Sequence, residues 1–114
     1  YAAVSFTDFT TGTTISSSAM NTKLNALKDA VNKITAFKHV TTVGNISGGN
    51  YTTIDNPATN NDPNAILVVT SDLGNYYNNV VGVWYNGSNW TIFDENPAGI
   101  MPTGVTFNVM VIKP

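Results

Sequence analysis

The sequence predicts a mainly β protein, in which a small antiparallel β-sandwich or jelly-roll-like domain follows an extended N-terminal arm and one amphipathic α-helix. Short apolar runs rich in β-branched and aromatic residues alternate with Asn-, Gly- and Asp-rich turns from residue 38 onward, as in sandwiches and barrels. Apolar residues upstream of this point recur instead at helical spacing. We therefore divide the chain into an arm over 1–15, a helix over 16–37 and a β-sandwich domain over 38–114.

The arm is predicted to be extended because Val4 and Phe6 alternate with the polar residues Ser5 and Thr7. This pattern is typical of a strand or of a flexible segment. A strand without a partner in its own chain can add to the sheet edge of the next subunit. Val4 and Phe6 are therefore candidate assembly residues.

The helix is predicted from apolar residues that follow one another at steps of four, three, four and three. They form a heptad stripe that consists of Met20, Leu24, Leu27, Val31 and Ile34. Ser16 suits the N-cap because its hydroxyl accepts from first-turn amides. Either the stripe packs on the protein's own sheet, or it joins copies of the chain in a parallel bundle, a trimer. About two and a half heptads do not hold a bundle alone, so the second interpretation requires that the β-domain also self-associates.

Six strands are predicted in the β-domain. They cover Lys38–Val43, Tyr51–Ile54, Ala65–Thr70, Val80–Tyr85, Trp90–Phe93 and Val105–Ile112. A hairpin joins the fourth strand to the fifth through Asn86-Gly87-Ser88-Asn89, since Asn and Gly tolerate the positive φ of tight turns. The third and sixth strands are apolar on both faces, which predicts central positions covered by a partner or by the helix.

The charge content argues against several partners. Only 11% of the residues are charged, against about 25% in a typical soluble domain, and the chain has no Arg. Four of the five lysines fall between residues 23 and 38, so no basic face fits a row of phosphates, and nucleic acid is not an expected partner. No apolar run approaches the roughly 18 residues of a membrane span, so membrane insertion is not expected either.

The surface composition favours a secreted protein. Asn, Thr, Ser and Gly in place of Lys and Glu are typical of secreted β-rich proteins and of assembled fibres, whose subunits lie together without like-charge repulsion. The first residues, Tyr1-Ala2-Ala3, suit a mature chain from which a signal peptide has been removed. We therefore expect an extracellular or cell-surface location.

Two parts of the chain resemble known families. Residues 9–27, with a Gly-Thr stretch, a capping Ser and an Asn-x-x-hydrophobic-x-x-Leu helix, resemble the N-terminal pattern of phage tail-fibre proteins and of bacterial secreted proteins. Asn64–Thr70, Gly82–Tyr85, Trp90–Phe93 and Met101–Val109 resemble a β-domain that recurs in secreted bacterial and tail-fibre-like proteins. The resemblance implies a structural role, with a virion tail fibre as the alternative location, and it implies no activity.

No catalytic or metal centre is predicted, and no cofactor. His39 is the only histidine, and neither a Cys nor a G-x-S-x-G nucleophile pattern accompanies it, so we expect a partly buried strand histidine. The adjacent carboxylates Asp94 and Glu95 point to opposite faces of a strand and cannot flank one glycosidic bond. The loop carboxylates lack EF-hand spacing and are predicted to form Asx turns rather than a calcium site. These residues are Asp55, Asp62 and Asp72.

Exposed aromatic residues and sequons complete the candidate sites. Tyr76 and Tyr77 lie between asparagines in a predicted loop, where we expect a subunit contact. A carbohydrate site is the alternative, because rings stack on sugar faces while amides bond the hydroxyls. Four N-x-S/T sequons in or beside predicted turns are candidate glycosylation sites. They begin at Asn45, Asn50, Asn86 and Asn89.

Together these observations predict a structural subunit, not an enzyme, of an extracellular fibre or filament that assembles with copies of itself. The N-terminal strand is the favoured assembling element, since a heterologous contact that does not close produces a filament. One alternative is a trimeric phage tail-fibre segment held by the heptad stripe. Another is a monomeric carbohydrate-binding or adhesin domain that binds surface glycans.

Overall fold

The computed structural model describes residues 10–114, so the predicted arm residues Val4 and Phe6 lie outside it. Within that range one helix and seven strands follow in chain order. They are α1 (Ser17–Val31), β1 (Ile34–Val40), β2 (Ile46–Ser47), β3 (Tyr51–Thr53), β4 (Ile66–Ser71), β5 (Val81–Tyr85), β6 (Trp90–Asp94) and β7 (Thr106–Ile112). A short 3-10 turn at Leu73–Asn75 separates β4 from β5.

The strands form two antiparallel sheets. The first has the order β1-β7-β4 and the second the order β2-β3-β6-β5. Strand β7 is the middle strand of the first sheet, and it pairs along its whole length with β1. The predicted fold class, a small β-sandwich with one N-terminal helix, is therefore confirmed.

The core lies between the sheets and is built around β7. Its inward side chains Phe107, Val109 and Val111 are at most 1% exposed. Ile92 on β6 and Ile54 after β3 are fully buried and belong to the same apolar cluster. Because every second residue of β7 points inward and is apolar, the strand covers the core with one face, as the alternation predicts.

The predicted strands are all present, with ends shifted by a few residues, and one prediction about them is wrong. The strand that begins at Ala65 was expected to be central, but β4 has β7 as its one neighbour within the described sheets. Its outward side chains Ile66 and Val68 are 51% and 44% exposed. Apolarity on both faces of β4 therefore marks an uncovered surface, not a central position. The two-residue strand β2 was not predicted, because it is too short to show a period.

The predicted hairpin between β5 and β6 is confirmed. Tyr85 lies opposite Trp90, and the amide of Asn86 donates to the carbonyl of Asn89 at 2.9 Å. The Asn86 side-chain oxygen accepts from the amides of Ser88 and Asn89, which forms an Asx turn. Gly87 has a φ of 104°, which only glycine adopts without strain.

Helix α1 begins as predicted and ends early. The Ser16 hydroxyl accepts from the Ala19 amide at 3.0 Å, which confirms the N-cap. The helix ends at Val31 rather than near Phe37, and Ile34, predicted to continue the stripe, begins β1 opposite Ile112. The pairing of seven residues with β7 outweighs the continuation of the heptad, because each pair adds ladder hydrogen bonds and buries Phe37 and His39 on the inner side.

No part of α1 packs on the sandwich. None of its residues is buried, and it makes no extended contact with either sheet. The interpretation in which the stripe is covered by the protein's own sheet is therefore wrong.

Candidate functional site

The helix stripe, defined here as Met20, Leu24, Leu27 and Val31, lies open to solvent on α1. These side chains are 39%, 54%, 45% and 66% exposed, respectively. They follow one another at steps of four, three and four, so the stripe runs along one side of the helix for about 16 Å. It presents the a and d positions of a heptad without a partner helix among the described residues.

Alone in water, such a helix is marginal. It has 15 residues, and Ser17, Asn21, Thr22 and Asn25 are among those with weak helix propensity. Isolated helices shorter than about 12–15 residues are marginal even when they are rich in Ala, and most helices in proteins depend on an apolar face that packs. Within residues 10–114, no buried contact stabilises α1.

A second apolar surface lies on the outer side of the three-stranded sheet. This aliphatic face consists of two rows across the strands, one formed by Ile34, Ile112 and Ile66 and the other by Ala36, Met110 and Val68. Four of these residues are between 39% and 51% exposed. A shallow groove of about 430 Å³ runs between Ala36, Val68 and Met110. Neither α1 nor another described segment covers the face.

The helix stripe and the aliphatic face follow each other along the chain. Val31 ends α1 and Ile34 begins β1, so the two surfaces are separated by only two residues. The amide of Lys113 donates to the carbonyl of Lys33 at 2.7 Å, which ties this junction to the end of β7. Ile66, Val68 and Met110 are not among the predicted assembly residues, although the two-sided apolarity of their strands predicts a partner or a covering helix.

The polar end of the aliphatic face carries a neutralised charge. Lys38 lies in the row that follows Ala36 and Met110, and its ammonium donates to the carboxylate of Asp72. That contact, aided by the Gly74 amide, holds the pKa of Asp72 below its ordinary value. Because the pair is balanced, like-charge repulsion does not oppose the approach of a second copy.

Tyr77, predicted to be an exposed contact residue, is structural. It is only 9% exposed, and its hydroxyl donates to the buried carboxylate of Asp94. The same carboxylate accepts from the Asn79 amide at 2.8 Å and from the Asn96 backbone at 2.8 Å. These donors hold the pKa of Asp94 below its ordinary value, and burial raises that of Tyr77. Of the predicted pair, only Tyr76, 60% exposed, is accessible.

We expect Tyr77→Phe to lower the free energy of unfolding by about 1.5–3 kcal/mol, because it leaves the Asp94 carboxylate without its closest donor. Tyr76→Phe removes the same hydroxyl from an exposed ring and serves as the matched control. Urea denaturation followed by fluorescence measures both. Equal stabilities of the two variants would contradict the structural role of Tyr77.

The sequons differ in whether their amide nitrogen is free. The Asn45 nitrogen donates to the Val40 carbonyl at 2.9 Å, and the Asn89 nitrogen donates to the Ile54 carbonyl at 3.0 Å. The Asn89 nitrogen also donates to the Asn60 side-chain oxygen at 2.9 Å, so both of its protons are used. A glycosylated amide keeps one N–H, so a glycan on Asn89 breaks one of its two bonds, whereas a glycan on Asn45 leaves a proton for its single bond. The nitrogens of Asn50 and Asn86 donate to no group among the described residues, and glycosylation there remains a prediction.

His39 joins the two sheets. Its Nε2 lies 2.8 Å from the Thr52 hydroxyl, which in turn donates to the Asn45 side-chain oxygen at 2.9 Å. The hydroxyl proton is thereby used, so His39 is the donor in the first bond. Burial holds the pKa of His39 below its ordinary value, since the charged ring is poorly solvated. No acid or nucleophile completes a catalytic arrangement with it within the described residues.

Stability is expected to fall as the pH is lowered from 7.5 to 5. The unfolded chain binds a proton at His39 near its ordinary pKa of about 6.5, before the folded protein does, so the stabilisation present above this pH is lost below it. The loss levels off once the folded protein is protonated as well. Urea denaturation at several pH values measures this slope, and His39→Gln should abolish it. A slope unchanged in His39→Gln would assign it to another group.

Two of the three loop carboxylates, Asp62 and Asp72, form the predicted Asx turns. Asp62 and Asp72 accept from backbone amides two residues downstream, and Asp55 accepts from the Asn60 side chain. No cluster of three His, Cys, Asp or Glu side chains suited to a metal ion occurs between residues 10 and 114. The one described helix is neither long nor apolar enough to cross a membrane.

Comparison with known proteins gives a family without an assigned function. No curated protein and no solved structure is significantly similar to the chain. The resemblance to tail-fibre proteins therefore stays a prediction. Residues 15–111, which include α1 and almost the whole sandwich, match one family along their length. The chain belongs to that family, the domain of unknown function DUF7452.

Proposed function

We propose that this domain is a structural subunit of an extracellular fibre or filament and that it assembles with copies of itself through the helix stripe and the aliphatic face. One observation carries the proposal: α1 has a heptad stripe and no buried residue. A helix that short and that polar needs a partner to persist. The spacing of the stripe suits a second helix with the same heptad, which an identical copy supplies.

The energetics require both surfaces. Burying a Leu, Val or Met side chain completely is worth about 1.5–3 kcal/mol, and each residue of the stripe has roughly half of this left to gain. Association costs an estimated 4–15 kcal/mol, so four such residues on each helix are barely sufficient. The aliphatic face adds four more half-exposed side chains directly after the stripe. Such a combined surface can sustain a bundle that the helix cannot sustain alone.

The low charge density supports assembly outside the cell. Only 11% of the residues are charged, so copies can lie side by side with little repulsion. Within the described residues the aliphatic face carries Lys38 as its one cation, and this cation is paired with Asp72. The extracellular location itself rests on this composition.

Strand insertion by the N-terminal arm is the second mechanism. Strands β1 and β4 each pair only with β7 in the described sheets, so the first sheet has two edges at which a strand can add. Strand β4 spans six residues, enough to pair with an arm that contains Val4 and Phe6. This mechanism gives an open filament, whereas the helix stripe gives a closed bundle, such as a trimer that forms one segment of a fibre.

We expect the double substitution Leu24→Asp and Leu27→Asp to convert the assembly into a 12.2 kDa monomer that keeps its β-sandwich and loses its helical circular dichroism. The two residues lie on the stripe, and neither contributes to the core. The double variant Asn25→Asp and Ala26→Asp adds the same charge beside the stripe and is the matched control. Light scattering and circular dichroism over a range of concentrations measure both properties.

A wild-type chain that stays monomeric at every concentration rules out self-assembly. If the Asp variant assembles like its control, the stripe is not the contact. Deletion of residues 1–7 then tests the arm. Strand insertion requires Val4 and Phe6, so this mechanism predicts that the deletion abolishes assembly.

The aliphatic face is tested separately by Ile66→Thr with Val68→Thr, which keeps the β-branched shape and removes apolar surface. We expect the dissociation constant of the assembly to rise by about tenfold or more. The unfolding free energy of the monomer should change little, because both side chains are about half exposed. Val80→Thr, at a residue 68% exposed outside this face, is the control. Equal effects of both variants on assembly would remove the face from the proposal.

A further inference from the structure

The four-stranded sheet turns an aromatic groove outward. Tyr51 on β3 lies beside Phe93 on β6, and Phe93 lies beside Gly82 on β5. Trp84, two residues further along β5, is 52% exposed and meets Tyr51 edge to face at a centroid distance of 6.2 Å and an angle of 83°. With Asn50 at its rim, this aromatic groove encloses about 480 Å³.

Two glycines position the rings. A Cβ atom on Gly82 would lie 2.5 Å from Cζ of Phe93, and one on Gly48 would lie 2.8 Å from Cε1 of Tyr51. Both rings thus rest against bare backbone, where any larger residue displaces them. Cross-strand packing of an aromatic ring over glycine is a known way to hold such a ring in place. Contact with the Gly48 and Gly82 backbone therefore fixes the positions of the Tyr51 and Phe93 rings, which gives the groove a defined shape.

Three polar side-chain groups at the groove have no partner among the described residues. Within residues 10–114 the Asn50 side chain, the Tyr51 hydroxyl and the Trp84 indole nitrogen make no hydrogen bond. This contrasts with the second tryptophan, Trp90, whose indole nitrogen donates to the Asp62 carbonyl at 2.9 Å. An apolar ring surface with a few unused donors and acceptors around it is typical of a ligand site.

The charge around the groove argues against anionic ligands. The lysines lie on or beside α1, on β1 and after β7, so none is on the four-stranded sheet. Aromatic platforms that bind nucleic acid combine stacking with cations for the phosphates, and these cations are missing from the groove. The same argument applies to acidic glycans. A neutral ring that carries hydroxyl groups fits the surface better.

We propose that the aromatic groove binds a neutral pyranose glycan. One face of the sugar ring, made of C–H groups, stacks on the Trp84 indole with Tyr51 as the side wall. The amide of Asn50, the Tyr51 hydroxyl and the Trp84 nitrogen then bond the sugar hydroxyls, which both donate and accept. A proline-rich peptide also stacks on aromatic grooves, but its proline carbonyls only accept, so the Asn50 side-chain oxygen would stay without a donor.

This site does not depend on the proposed function, although the two are compatible. The aliphatic face belongs to one sheet and the aromatic groove to the outer side of the other, so the sandwich separates them. Copies that associate through the first surface leave the second exposed. Repetition of a weak site along an assembly raises the avidity for a repetitive glycan without any new contact.

Titration of the full chain with neutral β-linked glucose, N-acetylglucosamine and mannose tetrasaccharides tests the proposal, with binding followed by NMR shift changes and tryptophan fluorescence. The protein is produced in a host without N-glycosylation, because Asn50 begins a sequon. We expect at least one of these sugars to bind and saturate. Trp84→Ala should weaken this binding by about tenfold or more, and Trp84→Phe, which keeps a stacking ring, by less.

Leu73→Ala, which removes an exposed apolar side chain outside the groove, is the control and should bind normally. The proposal is overturned if no neutral sugar saturates, if Trp84→Ala binds like the control, or if a proline-rich peptide is bound instead. A change of oligomeric state in Trp84→Ala without sugar binding would make the groove a subunit contact. The variant Leu24→Asp with Leu27→Asp separates the two proposals, since a monomer retains its affinity for each sugar in solution.

Discussion

The position of β7 between β1 and β4 is the constraint on which the rest of the structure depends. Its inward residues Phe107, Val109 and Val111 occupy the centre of the core. Its backbone pairs with seven residues of β1, and this pairing ends α1 at Val31 although the heptad pattern continues to Ile34. Its outward residues Met110 and Ile112 stay partly exposed in the described part of the chain. One strand thus determines where the core lies, where the helix stops and which surface stays apolar.

The sandwich completes its core without α1, so the helix does not contribute to packing inside the domain. The buried cluster is complete without any residue of α1, so the stripe adds nothing to the stability of the described fold. An apolar stripe on a solvated helix favours aggregation, so such a surface generally marks an interaction site. The arrangement is consistent with a module in which folding and assembly use different surfaces.

The strands were predictable because their signals are local. Alternation in β7 and the Asn-Gly turn between Tyr85 and Trp90 identify strand and hairpin without knowledge of the neighbours. The end of α1 was not predictable from the sequence, because Ile34 fits both the heptad pattern and the strand pattern. Only its pairing with β7 selects the strand. The burial of Tyr77 was not predictable for a similar reason. Its Asn-rich surroundings suggest exposure, whereas its partner Asp94 lies far away in the sequence.

The aromatic groove lies at the limit of what a single sequence reveals. Tyr51, Gly82 and Phe93 come from three strands, and nothing in their spacing indicates that β6 lies between β3 and β5. The order of the strands explains these residues: Gly82 leaves room for the Phe93 ring, and Phe93 lies between Tyr51 and Gly82 across the sheet. The sheet then has one mainly apolar side toward the core and one aromatic side without charged residues in its groove toward solvent. This second side needs the same kind of explanation as the exposed stripe, because apolar surface that no part of the fold uses is costly to expose.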